Sequence, residues 1–184
     1  MEMTIEKLLN EFYSKNGIPK DGGVDDSTFE FKAFGLKLIL PNPKFRRKAV
    51  YIHDIQHVLH NCDTSWKGES FIAGWEISTG MWRYFLLSFL SLWAMGYGLW
   101  QYPKSVFLGF KKGLNNKGII DLPVSKSELM KMEYSELIKI IKKERVTKME
   151  GMQWAEFMGW VLLSQLVFLF PLLVIGLGLT LLLM

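Results

Sequence analysis

The sequence predicts an all-α, mostly helical protein that has a metal site at a helix hairpin, hydrophobic membrane helices and a short N-terminal β-hairpin. Three observations lead there. The run HDIQH at 53–57 stacks two imidazoles on one helical face, because residues four apart lie one above the other. The stretch from Phe157 to Met184 carries no charge over 28 residues, more than the ~20 a bilayer core requires. Elsewhere apolar residues recur mostly at three- and four-residue spacing, the signature of helices with one buried side.

The elements follow in order. Met1 to Tyr13 reads as an amphipathic helix with Ile5, Leu8, Leu9, Phe12 and Tyr13 on one side, and not as a secretory leader. It should stop near Asn16-Gly17, with Pro19, Gly22 and Gly23 breaking the chain. TFEFKAFGLKLIL alternates enough for a hairpin turning about Phe34-Gly35. Asn42 and Pro43 then read as N-cap and first-turn proline of a helix from about Pro43 to His60. NCDTSWKG reads as a connection, and helical spacing returns after Gly68 at Phe71, Ile72 and Trp75. Ser125 and Glu128 fit a capping box, and Ser135 reads as the cap of ELIKIIKKE, with Leu137, Ile138, Ile140 and Ile141 as its apolar side above Met132 and Tyr134. The expected organisation is an N-terminal segment 1–41, a helical metal-binding domain 42–150 that includes the hydrophobic helix 84–103, and a C-terminal membrane helix 151–184. Pro171 should kink the last helix or divide it into two half-helices, with Trp154 and Trp160 at an interfacial level.

The hydrophobic helix 84–103 leaves two readings open. It either spans the bilayer, separating 1–83 from 104–156, or packs in the domain and dips into one leaflet. Flanking basic residues (Lys67 and Arg83 before; Lys104, Lys111, Lys112 and Lys117 after) are too evenly placed to orient it. These lysines and the later group Lys139, Lys142, Lys143 and Arg145 either attract anionic head groups or form solvated faces. The net charge of +4 is spread out, and no nucleic-acid motif accompanies it. The single Cys62 excludes an internal disulfide.

All three histidines fall within eight residues, and Glu69 follows His57 after eleven intervening residues. His53, Asp54, His57 and Glu69 form a mixed nitrogen and oxygen set suited to zinc, ferrous iron or manganese and unsuited to calcium. The fourth group is a ligand, an orienter of the others or a general base. Arg46 and His60 share the histidine stripe, and His60 is as readily a neighbour as a ligand. No His precedes His53, which excludes HD-type phosphohydrolases; no G-x-S-x-G and no Gly-rich phosphate loop is present.

RRKAVYIHDIQHVLHNCDTSWKGESFIAGWEI resembles the coenzyme Q biosynthesis protein four family, whose mark, HDxxH, eleven residues and Glu, falls on His53, Asp54, His57 and Glu69. GFKKGLNNKGIIDLPVSKSELMKMEYSELIKIIKKERV is similar to that family's later helices, so the likeness covers about 45–146. The two hydrophobic segments depart from the family's typical soluble or peripheral members. The resemblance implies ubiquinone biosynthesis on a prenylated hydroxybenzoate-type ring, with the metal site linked to removal of the ring carboxyl and hydroxylation at that carbon. It also implies a part in organising other quinone-biosynthesis enzymes. The expected partners are the membrane lipid bilayer, the prenylated quinone precursor, those enzymes and, as an open expectation, a second copy in a homo-oligomer. Arg46 is the residue expected to pair with a substrate carboxylate or phosphate. Two alternatives stand beside this: a non-catalytic lipid-binding scaffold whose metal staples two helices, and a metal-dependent hydrolase of another lipid.

Overall fold

A computed structural model describes residues 3–33, 35–143 and 148–183; Phe34 and Arg145, named above, lie outside the described residues. Among the described residues the chain forms eight α-helices and one two-stranded antiparallel hairpin, a mostly helical architecture as expected. It divides into two compact units that interleave along the sequence: Met1–Asp63 with Ile119–Ile141, and Thr64–Gly118 with Lys142–Met184.

In the first unit, helix α1 (Ile5–Asn16) starts at Thr4, whose side chain accepts the Lys7 N–H, and ends at Gly17 in the left-handed conformation. It buries Ile5, Leu9 and Tyr13, the apolar side expected. Its start is tied to the chain near Met132: Ile5 N–H donates to the Met132 carbonyl at 2.9 Å, and Tyr134 N–H to Met3 at 3.1 Å. Strands β1 (Thr28–Ala33) and β2 (Leu36–Pro41) pair Thr28 with Pro41 through Ala33 with Leu36. The hairpin leaves Leu36, Leu38 and Ile39 exposed.

Helix α2 (Lys44–His60) buries Val50, Ile52, Ile55 and Leu59. Its start corrects the expected cap. Pro43 occupies the N-cap position and makes no side-chain cap bond. Asn42 is buried and used elsewhere: its amide donates to the carbonyls of Gly23 (2.9 Å) and Asp26 (3.0 Å) and accepts from Arg46 Nη1 at 3.0 Å. A loop carbonyl in a closed space needs a donor more than an exposed helix end does, because water can serve the latter. After α2, helices α6 (Lys126–Lys131) and α7 (Tyr134–Ile141) complete the unit. The capping box of Ser125 and Glu128 is formed in both directions. Ser135 does not cap α7, which already includes Tyr134. Only Leu137 and Ile141 are buried there; Ile138 and Ile140 are exposed, so the apolar side is narrower than the sequence suggested.

In the second unit, α3 (Trp66–Thr79), α4 (Phe85–Gln101), α5 (Pro103–Gly113) and α8 (Gly151–Leu183) pack around Ala73, Ile77, Leu92, Met95, Val106, Phe110 and Phe157. Glycine sets the α3–α5 distance. A Cβ on Gly109 would stand 1.9 Å from the Phe71 carbonyl oxygen, and one on Gly113 would stand 2.7 Å from that of Trp75. Val106, Gly109, Phe110 and Gly113 are the buried residues of α5, and their three- and four-residue spacing makes one stripe. Helix α8 continues through Pro171 instead of dividing there. Its segment Gly151–Pro171 is long and apolar enough to cross a membrane by length and composition.

Candidate metal centre

His53 and His57 stand on successive turns of α2, and the fold brings their Nε2 atoms to 3.2 Å, with ring centroids 4.9 Å apart and planes at 69°. His57 is 1 % exposed. The helix stops just beyond this turn: Asn61 takes the left-handed conformation (φ 49°), and Cys62 N–H donates to the His57 carbonyl at 2.9 Å. Asparagine tolerates this conformation better than most residues, so the sequence itself encodes the stop.

Glu69 lies in the first turn of α3, where the N-terminal end of the helix dipole favours a carboxylate. Ser65 caps that turn, accepting from Gly68 N–H, and Glu69 N–H donates to the Ser65 carbonyl at 2.9 Å. The turn is further fixed by Trp66, whose ring lies 4.4 Å from that of Tyr97 and 6.2 Å from that of Trp93.

His53, His57 and Glu69 form a group that could hold a metal ion: one ligand atom from each, all within 4.8 Å of one another. The donor set fits. Two imidazole nitrogens about 2.0–2.1 Å from one ion at a tetrahedral angle stand about 3.3 Å apart, against the observed 3.2 Å. The same separation also lets one ring donate a hydrogen bond to the other.

Asp54, the fourth expected ligand, falls outside that group. It is buried (7 % exposed), and its Oδ2 accepts the Tyr13 hydroxyl at 2.9 Å. Burial and the neighbouring Asp54 charge push the Tyr13 phenol well above its ordinary value of 10.0, so it stays a neutral donor. The preceding residue, Phe12, stacks on the His57 ring at 5.6 Å and 25°. In the sequence Phe12 and Tyr13 show only a generic apolar face; a tyrosine at a buried helix position is the one available signal, since its hydroxyl needs a partner.

Arg46 donates to Asn42 and lies 4.1 Å over the Phe29 ring. His60 is half-buried at the last turn of α2 and is not in the three-residue group. Gln56, on the same helix, is completely buried, and neither its amide nitrogen nor its oxygen has a hydrogen-bond partner among the described residues.

The chain matches no family model, no curated protein and no solved structure.

Proposed function

We propose that this is a membrane-associated metal protein of ubiquinone biosynthesis, acting on a prenylated hydroxybenzoate-type ring to replace the ring carboxyl by a hydroxyl. The observation that carries the reading is the convergence of His53, His57 and Glu69, at the spacing of the family the sequence resembles. Zinc, iron or manganese fits this set; iron or manganese, being redox-active, would supply the electron transfer that dioxygen chemistry needs, which zinc does not. His53 and His57 present their nitrogens and Glu69 brings a carboxylate, while Asp54, the residue after His53 in the chain, accepts the Tyr13 hydroxyl. Arg46 and His60 are the candidates for holding the polar head group of the substrate.

The reaction breaks the bond between ring and carboxyl, releasing carbon dioxide, and forms a ring carbon–oxygen bond. Dioxygen supplies that oxygen atom, its second atom leaves as water, an external donor provides two electrons, and two protons come from solvent.

The apolar surface supports work on a lipid-soluble substrate. Only 17 % of the spanning window of α8 is buried, unlike the core helix of a water-soluble domain. Helix α4 exposes Phe85, Leu86, Phe89 and Leu90 on one side. Its 17 residues reach about 26 Å at 1.5 Å per residue, short of a ~30 Å hydrocarbon core. We therefore read α8 as the spanning helix and α4 as embedded beside it.

The test is turnover. Metal-loaded protein in liposomes, given a prenylated 4-hydroxybenzoate, dioxygen and a reductant, should yield the decarboxylated, hydroxylated ring by mass spectrometry. Full metal content without turnover, in the presence of membrane extract to supply missing partners, would leave the scaffold as the better reading.

A further inference from the structure

We propose that Tyr13 is a positioning residue of the metal centre: its buried hydroxyl holds the Asp54 carboxylate next to the histidine pair and outside the ligand set. Asp54 then serves as a fixed countercharge and does not coordinate. The inference rests on His53, His57 and Glu69 being the ligands.

The contact joins residues 41 apart in sequence, and both partners are nearly inaccessible: Tyr13 is 3 % and Asp54 7 % exposed. A carboxylate in such a place is stable only if hydrogen-bonded, and the phenol supplies a donor at 2.9 Å. The neighbouring contact makes the arrangement two-point. Consecutive residues of α1 touch two members of the HDxxH run, Phe12 the His57 ring and Tyr13 the Asp54 carboxylate. The loop closes over the pair at Gly22, where φ is +74° and a Cβ would lie 2.6 Å from the Tyr13 hydroxyl oxygen and 3.3 Å from Asp54 Oδ2. Backbone and phenol together thus leave the Asp54 side chain little room to swing.

The charges give a reason for this. A divalent ion held by two neutral imidazoles and one carboxylate keeps one net positive charge. An Asp54 carboxylate, one residue after His53 in the chain and fixed by Tyr13, would offset it without occupying a coordination position, and a group beyond the ligands typically alters metal affinity about ten- to a hundred-fold.

The experiment titrates full-length apo-protein with Zn²⁺ against a chromophoric chelator and records the visible spectrum of the Co²⁺ form. Tyr13→Phe, which removes only the hydroxyl, should keep one ion per chain and bind it about ten- to a hundred-fold more weakly. Asp54→Asn, which retains an oxygen acceptor for Tyr13, should weaken binding while leaving the Co²⁺ ligand-field bands unchanged. A merely structural role would lower the apo melting temperature without changing affinity in the folded protein. Wild-type affinity in Tyr13→Phe overturns the proposal. So do altered Co²⁺ bands or lost stoichiometry in Asp54→Asn, which would make Asp54 a ligand. If Tyr13→Phe fails to fold, the Asp54→Asn spectrum decides. A wild-type chain that takes up neither ion overturns the ligand assignment itself and the proposal with it, an outcome distinct from normal wild-type binding with unaffected variants.

Discussion

Replacing His57 by alanine tests the candidate metal centre most directly. The two Nε2 atoms already stand 3.2 Å apart, within about 0.1 Å of the separation expected when both bind one tetrahedral ion. That separation suits both imidazoles binding one ion, so the loss of one of them should appear in the affinity. Four-ligand structural zinc sites are worth about 10–16 kcal/mol, or about 2.5–4 kcal/mol per ligand. His57→Ala should thus bind zinc about a hundred- to a thousand-fold more weakly, and elemental analysis should find it metal-free after dialysis. The ring is also 1 % exposed and stacked on Phe12, so its removal costs some stability; the apo melting temperature measures that separately. His60→Ala is the matched control, since His60 lies on the same helix outside the group. Near-wild-type affinity in His57→Ala, or an equal loss in His60→Ala, would refute the reasoning.

Three further outcomes follow from packing and charge. Gly109→Ala should destabilise the protein by about 1–3 kcal/mol in urea unfolding, because the new methyl meets the Phe71 carbonyl and pushes α3 from α5; Gly159→Ala, with nothing within 4 Å, should leave stability near the wild-type value. Equal effects at the two sites would remove the close-approach argument. Gln56→Leu should hold or raise stability by about 1–2 kcal/mol, since it removes a buried amide that has no partner among the described residues; a loss above about 1 kcal/mol would show that ordered water satisfies that amide. Because folding raises the Tyr13 phenol above its ordinary 10.0, this group's stabilisation is complete below pH 10 and is lost as pH rises beyond it. Unfolding curves above pH 10 should fall less steeply in Tyr13→Phe, by about 1.4 kcal/mol per pH unit for one proton; parallel curves would contradict the assignment.

Much of the local structure was legible because it depends on neighbours in sequence. The end of α1 at Gly17, the presence of the hairpin, the capping box at Ser125 and the alignment of His53 with His57 all follow from side chains a few residues apart. The misreadings share one cause. Asn42 looked like a cap, and Ile138 and Ile140 looked buried, because each pattern matches a local rule. Distant groups decided otherwise: carbonyls at Gly23 and Asp26 claim the Asn42 amide, and among the described residues Ile138 and Ile140 stay exposed.

The sequence alone determined which donors share a helical face, where a carboxylate follows them, and which segment has the length and composition to cross a bilayer. These depend on helical periodicity and on solvent preference, both carried by consecutive residues. Only the tertiary structure decided that Asp54 meets the Tyr13 hydroxyl, that Arg46 engages Asn42 and Phe29, and that glycines let α3 and α5 touch backbone to backbone. Those outcomes depend on competition among partners far apart in the chain. A buried polar group takes whichever donor or acceptor the packed interior places within about 3 Å, and no local pattern encodes that choice.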